Sequence, residues 1–312
     1  MLKKIILPAF VIVLTVLLTY LFIFQKPEDK LVSPLEYSRV ALNLWMPEAK
    51  ASNGFSDIDL AITAKAAYFV DMDSGQVLFE KNIKEKMPVA SLTKIMTAIV
   101  TLENRNWDDS ILISERAAGM EPDSMLLKAG EALTVEELLY GVFLVSANDA
   151  AEALAEKVFS EREDFLKEMN LKASQLGMKD TYFINPTGLQ EEGKNQYSTA
   201  YDILLMSRYA VKNFPNLLNI TSTPHILLPQ TITHQEYDLN SGINLLTTYP
   251  GVRGFKTGYT PEAGLTLVTI AQNGDRKVLG VILNSSSRRE DAKILLDYSF
   301  KKMDVNIPSP AY

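Results

Sequence analysis

The segment LTLVTIAQNGDRKVLGVILN, residues 265–284, contains two apolar runs separated by Asn273 and Gly274. An Asn-Gly pair between apolar runs is the strongest short-range signal for a β-hairpin. A second pair of shorter apolar runs, AAYFVDMDSGQVLFEKN at residues 66–82, surrounds a turn at residues 73–75. Residues 66–82 and residues 265–284 are therefore each predicted to form a pair of antiparallel strands.

The stretch between the two hairpins has the period of helices. The segment LTVEELLYGVFLV begins with Thr134 and Glu137, which have the spacing of a capping box. Its apolar residues, and those of residues 148–160 and 163–177, recur at helical spacing, and residues 287–303 form a final amphipathic helix. We therefore predict an α+β fold in which a sheet from both chain ends is covered by a central helical block.

The N-terminus contains an uncharged apolar run at residues 5–24. A run of this length spans about 30 Å as a helix, which matches the hydrocarbon core of a bilayer. Lys3 and Lys4 in front of it favour an N-terminus that stays inside. A cleavable signal peptide is the alternative, but the first small-x-small site, Ala49 and Ala51, lies far downstream. We expect an uncleaved transmembrane helix.

These patterns divide the chain into four segments. Residues 1–24 are the predicted membrane anchor, and residues 25–62, which mix prolines with charged and polar residues, are the predicted linker or stalk. Residues 63–303 are the predicted folded domain, followed by a tail at residues 304–312.

Composition excludes several functional classes. The net charge of −7 argues against a nucleic-acid partner, which requires a basic surface. The chain has no cysteine, which excludes disulfides, thiol catalysis and cysteine-ligated metals. Neither histidine, His225 or His234, has an acidic residue at a metal-ligand spacing, and neither stands in a recognisable Ser-His-Asp setting. No metal or organic cofactor is predicted.

A serine and a lysine interrupt the apolar segment PVASLTKIMTAIV, residues 88–100. Ser91 and Lys94 are three positions apart and share one face of a predicted helix, so the hydroxyl and the amine can meet. Among apolar neighbours a lysine either extends to water or has a lowered pKa and can accept a proton. Ser-x-x-Lys alone is weak evidence, because it also occurs at residues 299–302.

Two further short motifs follow Ser91 in order. Ser146 and Asn148 stand in the segment VSANDA at the junction of two predicted helices, and residues 256–258, Lys-Thr-Gly, stand on a predicted strand. In isolation Ser146 could cap a helix, and Lys-Thr-Gly could be an ordinary turn. Nothing comparable follows Ser299.

Together these motifs resemble those of the penicillin-recognising serine enzymes, whose S-x-x-K, S-x-N and K-T-G signatures are well known. The resemblance to the low-molecular-weight D-alanyl-D-alanine carboxypeptidases covers about residues 64–302, and includes TYFINPTGL, YSTAYDIL, YPGVRGFKTGYT and SSRREDAKILLDYSF. It implies the fold of the serine β-lactamases and D,D-peptidases, an antiparallel sheet of about five strands with helices on both faces.

The resemblance also implies roles for individual residues. Ser91 would be the nucleophile and Lys94 its base. Ser146 would relay a proton to the leaving amine, and Asn148 would hold the substrate amide. The N–H groups of Ser91 and Tyr259 would bind the oxyanion.

The strand that carries Lys-Thr-Gly would bind the substrate backbone along its edge. Gly258 would keep side-chain bulk away from the peptide. Lys256, Thr257 and, by the family pattern, Arg289 would bind the terminal carboxylate. A plain solvated position for Arg289 on its helix is the alternative.

The chain departs from the family pattern in three places. Residues 187–189 read Thr-Gly-Leu where relatives often have His-Gly-Leu, and the bulky Tyr259 follows Lys-Thr-Gly. The printed sequence ends soon after the last helix, without the second β-rich domain and C-terminal amphipathic anchor of many relatives. We expect the N-terminal helix to replace that anchor.

The resulting expectation is a single-pass protein of the cell membrane with its catalytic domain outside the cytoplasm. It would release the terminal D-alanine from peptidoglycan stem peptides ending in D-Ala-D-Ala through an acyl-enzyme on Ser91. β-Lactams would be its covalent inhibitors. Two alternatives remain at this point, a serine β-lactamase of the same fold and a non-catalytic penicillin- or peptide-binding sensor domain.

Overall fold

The structure of the protein is a computed structural model that describes residues 60–307. Its strands, in chain order, are β1 (Ala66–Asp71), β2 (Val77–Lys81), β3 (Met87–Pro88), β4 (Ser110–Leu112), β5 (Ala132–Thr134), β6 (Tyr197–Ser198), β7 (His225–Leu228), β8 (Tyr237–Asn240), β9 (Val252–Thr260), β10 (Gly264–Asn273) and β11 (Arg276–Ser285).

A short 3-10 helix, Ala90–Thr93, lies between β3 and the first α-helix. The α-helices, in chain order, are α1 (Lys94–Asn104), α2 (Glu115–Ala118), α3 (Val135–Leu144), α4 (Asn148–Val158), α5 (Arg162–Gln175), α6 (Ala200–Asn213), α7 (Leu217–Thr221), α8 (Leu245–Thr248) and α9 (Arg288–Lys302).

The main sheet has five strands in the order β2-β1-β11-β10-β9. All of its pairs are antiparallel, and β1 lies against β11 with Ala66 opposite Leu283. The β10–β11 turn consists of Gly274 and Asp275, one residue beyond the predicted pair, because Asn273 still pairs with Arg276. Gly274 has a φ of 59°, a value that glycine adopts without strain. The predictions of two terminal hairpins and one antiparallel sheet are confirmed.

The two faces of the sheet belong to two different apolar cores. Along β1, Tyr68 and Val70 pack in one core with α1, α3, α4 and α6, while Ala67 and Phe69 pack in the other. The second core also contains Leu295 and neighbouring residues of α9. Because successive side chains of a strand point to opposite faces, helices cover both sides of the sheet.

The predicted capping box at the start of α3 is present. The Thr134 hydroxyl accepts a hydrogen bond from the Glu137 N–H at 3.2 Å, and the Glu137 carboxylate accepts one from the Thr134 N–H at 2.8 Å. An N-terminal cap of this kind stabilises a helix by about 1 kcal/mol. It fixes the start of the helix whose other end leads into Ser146.

Several sequence predictions concern residues outside the described range. The membrane anchor at residues 1–24, nearly all of the linker at 25–62 and the end of the tail at 304–312 lie there. Within residues 60–307, no helix combines the length and the apolar composition that a bilayer span requires.

Candidate active site

The three sequence motifs meet in one cleft at the edge of the main sheet. Ser91, Ser146, Thr257 and Gly258 all line it. The 3-10 helix carries Ser91, the α3–α4 junction carries Ser146, and strand β9 carries the Lys-Thr-Gly motif. The fold therefore brings together residues that are far apart in the chain.

Lys94 is the first residue of α1 and is completely buried. Its Nζ lies 3.0 Å from the Ser91 Oγ, 2.6 Å from the Asn148 Oδ1 and 2.7 Å from the Thr187 carbonyl oxygen. A neutral amine has two N–H donors and one lone pair. The two carbonyl oxygens can accept both N–H groups, which leaves the lone pair facing the Ser91 hydroxyl.

The charge state of Lys94 suits that arrangement. Burial lowers the pKa of its amine to about 7, although the carboxylates of Asp123 and Asp149 act in the opposite direction. A desolvated ammonium is costly, so the neutral form is populated near neutral pH. Lys94 can therefore accept the Ser91 proton.

Two residues beside the cleft, in different segments, have a left-handed backbone conformation. Ser146 has a φ of 62°, and Ala90, directly before Ser91, has a φ of 49°. The left-handed region is uncommon for residues other than glycine and costs about 1 kcal/mol or more at each position. Both conformations adjoin the cleft, which is where such strain is usually found.

Lys256 forms the second amine of the cleft and is also completely buried. Its Nζ donates to the Thr257 carbonyl oxygen at 2.7 Å and lies 2.9 Å from the Ser146 Oγ. Burial lowers the pKa of Lys256 well below its usual value, and the positive charges of Lys94 and Arg288 lower it further. The two lysines thus disfavour each other's charged form.

Two glycines allow other segments to approach the nucleophile closely. A Cβ on Gly258 would lie 2.9 Å from the Ser91 backbone N, and one on Gly188 would lie 2.1 Å from the Ala90 carbonyl oxygen. Real Cβ atoms do not approach backbone atoms so closely. Gly258 thus keeps the space beside the Ser91 N–H open.

The guanidinium in the cleft belongs to Arg288, not to the expected Arg289. Arg288 lines the cleft and donates to the Gly258 carbonyl oxygen at 2.8 Å and to the Thr266 carbonyl oxygen at 3.3 Å. The side chain of Arg289 is 43% exposed and pairs with Glu290 at 3.7 Å. Neighbouring helical residues point about 100° apart, so only one of two adjacent arginines can face the cleft.

The remaining assigned residues line the same cleft or contact those that do. Tyr259 is 61% exposed at its rim. Asn148 begins α4, accepts from Lys94 through Oδ1, and donates through Nδ2 to the Pro122 carbonyl oxygen.

Sequence reasoning did not assign a role to three residues near this cleft. Thr187 contacts Lys94 through its backbone carbonyl, so this contact does not depend on the side chain that replaces the histidine of relatives. Asp123 lines the cleft, and the buried Asp149 holds the loop that carries Asp123. The sequence did offer a signal for Asp149, because it directly follows Asn148 in the segment Ser-Ala-Asn-Asp at residues 146–149.

The other candidate residues lie outside the cleft lining. His225 pairs with Asp238 at 2.6 Å, and the nearly buried His234 lies 3.3 Å from Glu137. The buried Ser299 hydroxyl has no hydrogen-bond partner among residues 60–307. The described part of the chain contains no cluster of three or more His, Cys, Asp or Glu residues that could hold a metal ion.

Comparisons with known proteins agree with this geometry. The family model described as D-alanyl-D-alanine carboxypeptidase matches residues 51–287. The D-alanyl-D-alanine carboxypeptidase DacF of Bacillus subtilis is 37% identical over 276 residues, which cover 86% of this chain and 70% of the relative. DacB2 of Mycobacterium tuberculosis is 35% identical over 214 residues, covering 67% of this chain and 70% of the relative.

Solved structures are similar as well. Penicillin-binding protein D2 from Listeria monocytogenes, in its ampicillin-bound form, has a TM-score of 0.69 and 32% identity, covering 78% of this chain and 99% of that one. The Streptomyces K15 DD-transpeptidase has a TM-score of 0.72 and 31% identity, covering 78% of this chain and 98% of that one.

Proposed function

The chain belongs to the D-alanyl-D-alanine carboxypeptidase family, and we propose that it uses Ser91 to remove the terminal D-alanine from peptidoglycan stem peptides. It is a serine-type D-Ala-D-Ala carboxypeptidase of the penicillin-binding proteins. The observation that carries the mechanism is the contact of a buried, readily neutralised Lys94 amine with the Ser91 hydroxyl at 3.0 Å. Release of D-alanine from a model peptide ending in D-Ala-D-Ala tests it.

Acylation begins with proton transfer from Ser91 to Lys94. The Ser91 Oγ attacks the carbonyl carbon of the penultimate D-alanine, and the C–N bond to the last D-alanine then breaks. The oxyanion accepts hydrogen bonds from the Ser91 and Tyr259 N–H groups. The leaving amine takes a proton through the Ser146 hydroxyl, and the proton gained by Lys94 replaces it.

The terminal carboxylate of the substrate binds at the strand side of the cleft. Arg288 supplies a fixed positive charge there, and the Thr257 hydroxyl supplies a hydrogen-bond donor. Arg288 takes the role that sequence reasoning gave to Arg289. Lys256, whose pKa burial lowers well below its usual value, contacts the Ser146 hydroxyl and is not a second fixed charge. A charge-assisted contact to the carboxylate selects substrates with a free C-terminus.

Deacylation reverses the first step with water as the nucleophile. Water gives a proton to Lys94 and attacks the acyl carbon. The bond from that carbon to the Ser91 Oγ then breaks, Lys94 returns the proton to this oxygen, and the shortened peptide is released. β-Lactams acylate the same Ser91 Oγ and act as covalent inhibitors. A sensor that is only acylated would also use a neutral Lys94, so release of D-alanine over many turnovers distinguishes the carboxypeptidase from that alternative.

The β-lactamase alternative requires a carboxylate that activates water. In class A β-lactamases a glutamate beyond the S-x-N motif is accepted as that group in deacylation. The corresponding segment here, residues 180–189, contains no glutamate, and its only acid, Asp180, pairs with Lys86 at 3.0 Å. Asp180 is not part of the cleft lining.

We therefore expect the penicilloyl adduct on Ser91 to persist for minutes or longer at neutral pH, while a D-Ala-D-Ala peptide is turned over many times. In the penicilloyl ester the leaving amine stays attached and hinders water, whereas the released D-alanine leaves room for water beside the peptidyl ester. Intact-mass spectrometry after removal of free penicillin measures how long the adduct persists, and D-alanine release measures turnover of the peptide. Sustained penicillin hydrolysis near the typical enzyme rate of about 10 per second would favour the β-lactamase alternative instead.

We also propose that residues 1–24 anchor the protein in the cell membrane, with the catalytic domain outside the cytoplasm. The support is the uncharged run at residues 5–24 and the lysines before it. The full-length protein should remain in the membrane fraction and dissolve only with detergent. A mature N-terminus after residue 25 would contradict this proposal.

A further inference from the structure

Asp123 brings a carboxylate into the cleft with no partner of its own. It lines the cleft together with Ser91 and Ser146, and it is exposed. Its carboxylate makes no hydrogen bond and no ion pair with any residue in the range 60–307. An unpaired charge at the wall of a substrate cleft is available to a ligand.

The backbone around Asp123 is held firmly although its side chain is free. The Asp123 carbonyl oxygen accepts from the Asn148 N–H at 2.7 Å, and the Pro122 carbonyl oxygen accepts from the Asn148 Nδ2. Further along the loop, the Asp149 carboxylate accepts from the N–H groups of Met125 at 3.1 Å and Leu127 at 3.0 Å. The start of α4 therefore fixes the loop that presents the Asp123 carboxylate.

Asp123 and Arg288 line the same cleft but are held by different elements. Asp123 is attached to α4 through Asn148, whereas the Arg288 guanidinium is attached to strands β9 and β10. Their electrostatic effects on the two lysine amines of the cleft also differ. The Asp123 carboxylate raises the pKa of both Lys94 and Lys256, while Arg288 lowers that of Lys256. The cleft therefore has a cationic part held by the strands, the strand wall, and an anionic part held by α4, the helical wall, and Ser91 lines the same cleft.

This charge pattern matches a peptide with two opposite charges. With the terminal carboxylate at Arg288 and the scissile carbonyl at Ser91, the substrate chain before that carbonyl leads away from the strand wall. The penultimate D-alanine carries only a methyl group. The residue before it is the first whose side chain can carry a charge, and successive Cα atoms are about 3.8 Å apart, so a long side chain there extends well beyond the scissile carbonyl.

We propose that Asp123 determines substrate specificity by binding a free side-chain amine on the residue that precedes D-Ala-D-Ala. This inference rests on the proposed carboxypeptidase function and names the substrate class more closely. Stem peptides with an unmodified diamino acid at that position are the favoured substrates, because acylation of the amine removes the charge that pairs with the carboxylate.

The test compares two peptides that differ by one acetyl group. These are Nα-acetyl-L-Lys-D-Ala-D-Ala, with a free ε-amine, and its Nα,Nε-diacetyl counterpart. For the wild type we expect kcat/KM to be about fivefold higher for the free amine, the preference given by one exposed charge pair. Raising the salt to about 1 M should reduce that ratio, because the Debye length falls to about 3 Å.

In Asp123→Asn the ratio should fall to about one, because the amide keeps the shape and loses the charge. Glu121→Gln is the matched control, since it removes an exposed negative charge two residues away and should keep the wild-type ratio. A wild-type ratio near one would overturn the inference. So would an Asp123→Asn variant that loses kcat/KM by the same factor for both peptides, which would mean that Asp123 acts through the lysines or on the attacking water.

Failure of this inference is distinguishable from failure of the proposed function. If the wild type releases D-alanine from both peptides at equal rates, the carboxypeptidase function stands and only the role of Asp123 is wrong. If it releases D-alanine from neither peptide while penicillin still labels Ser91, the carboxypeptidase function itself is wrong, and the inference that rests on it is withdrawn too.

Discussion

Replacing Ser91 by alanine should abolish both penicillin labelling and D-alanine release. Among residues 60–307, the substitution removes the only oxygen within 3.0 Å of the Lys94 amine that can become a nucleophile, so no acyl-enzyme can form. We expect kcat/KM to fall by at least about 10⁴-fold, as in other enzymes that lose their nucleophile. Intact-mass spectrometry and D-alanine release measure the two losses.

The fold should survive this change, because a buried serine and an alanine differ by one oxygen atom. Ser299→Ala is the matched control, since Ser299 also begins a Ser-x-x-Lys sequence. Its buried hydroxyl has no hydrogen-bond partner among the described residues, so its removal should leave stability and activity nearly unchanged. A penicilloyl adduct mapped to Ser299 or Ser146 would contradict the assignment of Ser91.

Replacing Lys94 by arginine should be nearly as damaging as replacing it by alanine. The lysine amine can lose its proton because burial lowers its pKa to about 7, whereas a guanidinium stays protonated throughout the accessible pH range. Arginine also cannot fit the three contacts that the compact Nζ makes with Ser91, Asn148 and Thr187. We expect acylation by penicillin to slow by about 10³-fold or more in both variants.

The pH dependence of the wild type provides a second measurement of the same base. Because the neutral amine is the reactive form, the acylation rate should rise with pH through about 7 and then level off.

Lys302→Arg is the matched control for Lys94→Arg, because Lys302 ends the second Ser-x-x-Lys sequence, and this variant should keep the wild-type rate. An acylation rate for Lys94→Arg within tenfold of the wild type would show that Lys94 is not the base.

Local sequence patterns were sufficient for the main elements of the fold. The Asn273-Gly274 pair predicted the β10–β11 hairpin, and Gly274 begins its turn with a φ of 59°, a conformation that favours glycine. The capping box at Thr134 marked the start of α3 because both partners lie within one helical turn. The motifs around Ser91, Ser146 and Lys256 indicated the family and the chemistry before any distance was known.

Only the tertiary structure decided which groups surround the nucleophile. Thr187 contacts Lys94 through a backbone carbonyl, which carries no residue-specific signal in the sequence. The choice between Arg288 and Arg289 depends on the rotation of α9 against strands β9 and β10, and a shift of one residue reverses it. Asp123 enters the cleft because α4 binds its loop through the Asn148 N–H and the Asp149 carboxylate. Contacts between distant segments depend on how the elements pack, and a local pattern cannot encode that packing.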